Sequence, residues 1–301
     1  MHRLVLLGTL GACTGPGETD DPPVADDVAL HVLPFVDTSR PTEAFTDLPA
    51  SDVRALDTWV WLPAGVPEET RDRPVVLIAH GNSGHPEKFL LLAELLVDEG
   101  WVVAAPVFPA TNRDGDSAGF AIPDLANQPA DLDYVVAELA REAADPGSVL
   151  HERLDTDQLV AVGHSLGGAT VAAWTRWGEA PRTDLAATVL LAPATFLNGM
   201  FGEGPHGEGP PVQFIHGEED RLVPLSASED MYGVVDDPAA LVVLPGHAHS
   251  DPFEGDTDGV RTSAALILGV LDEQVDGQPG AWAAALEGAA AEGALVDARG
   301  L

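Results

Sequence analysis

The stretch LVAVGHSLGG, residues 159–168, decides how the rest of this 301-residue chain is read. Four apolar residues lead into a glycine-bounded turn that carries Ser165, and the small-residue run GGATVAAWTRW, residues 167–177, then has the character of a helix. A serine placed between a buried strand and a helix in this way sits in a strained backbone conformation, so its neighbours must be small; Gly163 and Gly167 meet that need. The turn lifts the hydroxyl clear of the sheet. It also sets the backbone N–H of Leu166 at a helix N-terminus, where a free donor can meet a developing oxyanion. A glycine-rich turn with an incidental serine has the same letters, but the apolar run before and the helical run after favour a nucleophile.

Outward from this turn, the chain alternates strand and helix patterns. Residues 28–36 and 53–62 (VRALDTWVWL) read as strands that begin a sheet, the second with β-branched and aromatic residues in partial alternation. VVLIAH (75–80), WVVAAP (101–106), ATVLLA (187–192), PVQFIHG (211–217) and ALVVLPG (240–246) are continuous apolar runs of the kind buried on both faces of a parallel sheet. With the strand that enters the Ser165 turn after the polar HERLDTDQ, the expectation is about eight strands. Helical patterns fall at residues 89–100, 130–144, 226–234, 262–271 and 281–291, and a long polar loop at 111–128. The fold class is therefore α/β, a mostly parallel sheet flanked by helices, with its site at the carboxyl ends of the strands.

A serine hydroxyl needs a base, and the base needs an orienting acid. Both types lie at downstream strand ends. HGEEDRLVP offers Glu218, Glu219 and Asp220, and LPGHAH offers His247 and His249. Taken singly, a strand-end acid is usually solvated and a loop histidine usually a surface residue. Their succession in the order Ser, acid, His on consecutive strand ends is the order of α/β-hydrolases.

GHSLGG, HGEEDRLVP, LPGHAH and the HGNSG loop (80–84) together resemble an α/β-hydrolase of the dienelactone hydrolase and platelet-activating-factor-acetylhydrolase-like group, kin to the polyesterase-lipase-cutinase family, over roughly residues 28–275. The resemblance implies Asp220 as the acid, through the HGxxDxxVP pattern, and His249 as the base, through Gly-x-x-His counted from Gly246. It implies the N–H groups of Asn82 and Leu166 as oxyanion donors, structural roles for His80, His164 and His216, and no cofactor. The expected activity is cleavage of carboxylic esters, small or lipid-like, through an acyl-enzyme. There are departures. Ala194-Thr195 stands where cutinase-like polyesterases carry a Trp-His pair, Ser250 rather than an aromatic follows His249, and the single cysteine excludes their disulfide. These weaken a polyester-cleft reading. Two rivals are a metallohydrolase using His247-x-His249-x-Asp251 and a binding protein that keeps the fold without turnover. The absence of any histidine after His249 weighs against the first, and an intact Ser, Asp, His set against the second.

The N-terminus reads as targeting rather than fold. Residues 1–13 combine a short basic start, an apolar run and the lipobox-like Leu10-Gly11-Ala12-Cys13, the layout of an export signal whose cysteine is the lipid attachment point. Residues 14–27 (TGPGETDDPPVADD) read as an acidic tether, and residues 28–301 as a single hydrolase domain. The expected location is the bacterial cell envelope or the medium, with membrane contact only through that lipid. Fourteen basic side chains face 49 acidic ones, a net charge of −35, with Lys88 the only lysine. Such a surface repels nucleic acid and anionic membranes. Self-repulsion among these carboxylates is least screened at 0.01 M salt, where the Debye length is ~30 Å, and most at 1 M, where it is ~3 Å. The melting temperature is expected to rise with NaCl across that range, and a flat or falling curve in calorimetry would remove repulsion as a factor in stability.

Overall fold

The computed structural model describes residue 25 and residues 27–65, 72–115 and 121–301. The export signal, Cys13 and nearly all of the acidic tether lie outside the described residues, as does part of the 111–128 loop. The chain opens with β1 (Val28–Asp37) and β2 (Arg54–Pro63), an antiparallel pair. The apolar runs form β3 (Arg73–Ala79), β4 (Val102–Pro106), β5 (Leu154–His164), β6 (Ala187–Leu191), β7 (Val212–Gly217) and β8 (Ala239–Leu244). These six are mutually parallel, and β2 joins β4 antiparallel. A ninth strand, β9 (Leu295–Arg299), pairs antiparallel with β8, giving the order β1-β2-β4-β3-β5-β6-β7-β8-β9.

Period-two alternation divides the core between two layers. Val76 and Ile78 of β3 and Val160 and Val162 of β5 face one apolar cluster, with Leu92 and Leu96 of α1 (Leu90–Asp98), Val260 and Ile267 of α5 (Asp258–Gln274) and Trp282 of α6 (Ala281–Ala291). Val75, Leu77, Leu159 and Ala161, one residue out of phase, face the other. There they meet Leu132 and Val135 of α2 (Gln128–Ala144), Val171 of α3 (Leu166–Arg176) and Met231 of α4 (Ser226–Tyr232). Both faces of the central strands are thus apolar, which is why those strands read as unbroken hydrophobic runs.

The structure revises the expected elements at three places. Among the described residues there are nine strands rather than about eight, because β9 has the sequence LVDAR, mostly unburied, and no apolar run announces it. It is held by ladder bonds to the edge of β8, a backbone interaction that side-chain pattern does not encode. Strand β5 begins at Leu154 rather than after Gln158, since Leu154 and Asp155 pair with Arg73 and Pro74 before a register shift between Pro74 and Val75. The loop at 111–128 contains a 3₁₀ helix at Ile122–Asn127, and α2 starts at Gln128.

That 3₁₀ helix is fixed by a buried ion cluster. Arg54 of β2, fully buried, donates to Asp124 at 2.9 and 3.0 Å and to Asp131 at 2.7 and 2.6 Å. Gln128 then bonds Thr111 at 2.8 Å and also the hydroxyl of Thr170 on α3, so the loop is braced against the helix that follows Ser165. Removing the cation leaves two carboxylates without their buried partner. Arg54→Met is expected to lower the unfolding free energy by about 3–5 kcal/mol, and a urea midpoint equal to that of the native protein would contradict this account.

Candidate active site

The strand order reverses at β3, with β4 on one side of it and β5 on the other, and the loops that leave these carboxyl ends diverge. A crevice opens at such a switch point. Ser165 stands there with φ 56° and ψ −116°, between the end of β5 and the start of α3. The two flanking glycines are required by contact. A Cβ on Gly163 would lie 2.3 Å from the carbonyl oxygen of Gly167, and one on Gly167 would lie 2.1 Å from that of Ala79. The strained serine is pinned by its backbone: its N–H donates to Leu191 O at 2.9 Å, and its carbonyl accepts from Ala169 N at 3.1 Å and Ala194 N at 2.9 Å. Leu166 occupies the first helical position, whose N–H has no acceptor within the helix. Asn82 lies across the crevice in the turn closed by the Gly84 N–H to Gly81 O bond, and both residues line the cavity beside Ser165.

The other two sequence candidates come from the ends of β7 and β8. Asp220 Oδ2 is 2.6 Å from His249 Nδ1, although the two are 29 positions apart. Asp220 Oδ1 accepts from the N–H groups of Leu222 at 2.8 Å and Val223 at 2.9 Å. Burial pushes this carboxyl up, and the hydrogen bonds from His249, Val223 and Leu222 outweigh it, so Asp220 stays below the usual carboxylate range and is ionised at neutral pH. His249 is buried and lines the same cavity of about 310 Å³ as Ser165. Among the described residues no hydrogen bond joins Ser165 to His249; contacts of this type commonly close only with substrate bound.

The rival residues are disposed otherwise. Glu218 and Glu219 are exposed at the start of the loop. His247 Nδ1 donates to, or shares its proton with, Pro245 O at 3.0 Å, and Asp251 accepts from the Ala248 N–H at 3.0 Å. His249 has turned its Nδ1 to Asp220, and among the described residues no three His, Cys, Asp or Glu side chains gather as a metal site.

Three histidines read as structural in the sequence are in place around the candidates. His80 Nε2 accepts from Phe108 N–H at 3.0 Å and its Nδ1 donates to Gly81 O at 2.8 Å, which holds the Asn82 turn. His164 donates from Nε2 to the carbonyl of His249 at 3.3 Å, and the two rings pack at 4.8 Å, tilted by 37°. His216 reaches Asp220 itself, at 3.2 Å. The sequence reading missed Lys88 and Glu254, which also line the cavity and pair at 3.3 Å. No spacing links them, since Lys88 precedes α1 and Glu254 follows β8. Phe196 and Leu222, 61% and 75% exposed, form an apolar mouth.

No family model matches the chain. The chain is similar to the uncharacterized protein YfhR of Escherichia coli O157:H7, 26% identical over 223 residues, covering 68% of this chain and 72% of that protein. The protein of the same name from Escherichia coli strain K12 is 25% identical over the same shares.

Burial sets a pH limit on the site. His80 is pushed down to about 4 and His164 to about 3 by desolvation, so both are neutral in the fold while in the unfolded chain they titrate near 6.5. Between pH 6.5 and 4 the unfolded state therefore binds more protons. Their stabilising contribution is whole above pH ~6.5 and declines as pH falls, by up to ~1.4 kcal/mol per pH unit for each imidazole. Urea unfolding at fixed ionic strength is expected to give a lower free energy at pH 5.5 than at pH 7, and equal values would show that the two rings take up protons in the native state.

Proposed function

We propose that this protein is a serine hydrolase of the α/β-hydrolase fold that cleaves carboxylic esters. The observation that carries the proposal is the 2.6 Å contact between Asp220 and His249, formed by two separate strand-end loops beside the cavity that Ser165 enters at positive φ. A nucleophile, a base and an orienting acid in this succession have one economical chemistry. Ser165 Oγ attacks the ester carbonyl carbon as His249 Nε2 takes the hydroxyl proton. The carbonyl oxygen becomes an oxyanion, met by the N–H groups of Leu166 and Asn82. The C–O bond to the alcohol then breaks, and Nε2 returns its proton to the departing oxygen. Water repeats the sequence on the acyl-enzyme, giving its proton to His249, forming the acid and restoring the serine.

Ionised Asp220 offsets the charge of the transient imidazolium and keeps the Nδ1 proton in place. His164 is neutral by burial, so the ring packed against His249 adds no like charge at the moment His249 becomes cationic. The apolar mouth at Phe196 and Leu222 favours esters with an apolar portion, and the acidic surface disfavours anionic ones. The likeness to the two uncharacterized proteins adds no activity of its own.

Ser165→Ala and His249→Ala are each expected to lower turnover of a short-chain p-nitrophenyl ester by on the order of 10³-fold or more, and His247→Ala far less. A fluorophosphonate probe is expected to label the native protein and not Ser165→Ala. Full activity in Ser165→Ala would sink the proposal, whereas a dead His247→Ala beside a live His249→Ala would reassign the base.

A further inference from the structure

Asp220 Oδ2, the oxygen that holds His249, has a second nitrogen against it. His216, the penultimate residue of β7, is fully buried and places Nε2 3.2 Å from that oxygen and 3.1 Å from the carbonyl oxygen of Val223. Its other ring nitrogen, Nδ1, is 2.8 Å from the hydroxyl of Ser228, a fully buried residue of α4. These partners fix the tautomer. A carbonyl oxygen only accepts, so Nε2 bears the proton, and Nδ1 then accepts from the Ser228 hydroxyl. The Nε2–H is donated to Val223 O, and the carboxylate oxygen lies 3.2 Å from the same nitrogen, within its field. Burial pushes the His216 imidazole below its ordinary value, so the ring is a neutral donor.

We infer that His216 is a positioning residue of the triad: its Nε2–H fixes the rotation of the Asp220 carboxylate and tempers the charge that Oδ2 presents to His249. With Oδ1 held by two backbone N–H groups and Oδ2 by His216, the carboxylate has no freedom to turn from His249. Among the described residues three hydrogen bonds reach the carboxylate, from Leu222, Val223 and His249, and His216 adds a fourth nitrogen, from a side chain other than the base, at 3.2 Å. This role rests on the ester-hydrolase reading. It differs from a packing role in its reach, because loss of the donor leaves more negative charge on Oδ2, favours the protonated imidazole and makes Asp220 itself easier to protonate. Both effects move the acidic limb of activity to higher pH. The other titratable groups around the pair are His164, packed against His249 from β5, with Glu254 and Lys88 behind it, and the exposed Glu218, Glu219 and Arg221 on the acid loop. All remain in the variants below.

The test is the pH profile of kcat and kcat/KM on a short-chain p-nitrophenyl ester for His216→Leu, His216→Gln and Ser228→Ala, each first checked for native circular dichroism and thermal unfolding. His216→Leu is expected to lower kcat by about 10-fold or more, on the scale seen for outer-shell partners of metal ligands, with KM little changed and the acidic limb moved to higher pH. Glutamine, which keeps an N–H near Nε2, is expected to recover most of the rate and the native limb. Ser228→Ala leaves the imidazole but unpins its tautomer, so a several-fold loss with the same direction of shift is expected; this variant carries the test if leucine prevents folding. Native kcat and an unmoved limb in folded His216→Leu or Ser228→Ala overturn the inference. So does a rate loss in His216→Leu that leaves the limb in place and that glutamine does not repair, for that is packing alone. Ser165→Ala, run alongside, separates the two levels: if it is inert while folded His216→Leu matches the native enzyme, the hydrolase reading stands and this role falls, whereas an active Ser165→Ala removes the reading beneath both.

Discussion

The structure depends on one close approach. The backbone at Gly163, Gly167 and Ala79 comes together so tightly that no Cβ fits at either glycine, and this contact locks the end of β5, the first turn of α3 and the end of β3 into one unit. Ser165 is the residue between the two glycines, so its positive φ is imposed from both sides. Non-glycine residues in that region cost of order 1–3 kcal/mol and persist only where surroundings over-determine them. Here they do. Three backbone hydrogen bonds hold the residue, α3 is buried along its whole length, and parallel strands stand on either side of β5.

With the serine rigid, the proposed chemistry turns on where Asp220 and His249 are placed, and the Asp220 carboxylate is the point where their loops are tied together. Loops are the natural carriers of functional groups, but they gain positional accuracy only from the elements they are tied to. Asp220 is tied to its own loop through Leu222 and Val223, to β7 through His216, and to the β8 loop through His249. His164 ties the same β8 loop back to the serine strand through the carbonyl of His249. His249 and Asp220 are therefore tied to β5 and β7 by two histidines, His164 and His216, that do no proton transfer in the proposed chemistry. Their burial keeps them neutral, which lets hydrogen-bonding rings stand beside an ionising pair without adding like charge.

The periphery follows different physics. The chain carries 35 net negative charges, yet Arg54 sits fully buried among carboxylates, fixing the 3₁₀ helix at Ile122–Asn127 and with it the loop braced on α3. Charge that repels at the surface is used inside as a directional tie. The apolar side chains of Phe196, in the 3₁₀ helix Thr195–Phe201, and of Leu222, in the acid loop, open to solvent at the mouth of the Ser165 cavity.

The sequence by itself determined the elements whose cause is local. The apolar runs of β3 to β8 are legible because strands buried on both faces admit few polar residues, and the turn at Ser165 is legible because a clash-free approach at Gly163 and Gly167 admits only glycine. Strand ends and the helix start brought Leu166 and the groups Glu218, Glu219, Asp220, His247 and His249 forward as candidates, and the choice of Asp220, His249 and Asn82 among such positions rested on the family resemblance. Tertiary structure alone decided what depends on residues distant in the chain. Strand β9 exists because β8 leaves an open edge, a fact of backbone pairing to which LVDAR gives no side-chain signal. Arg54 meets Asp124 and Asp131 across 70 and 77 positions, and Lys88 meets Glu254 across 166. His216 stands four residues before Asp220 and looks like an ordinary strand residue until the loop folds back and sets its ring on the carboxylate. Local pattern reports which face a side chain must bury; hydrogen-bond and ionic partners are chosen by distance in space, and only the folded chain sets that distance.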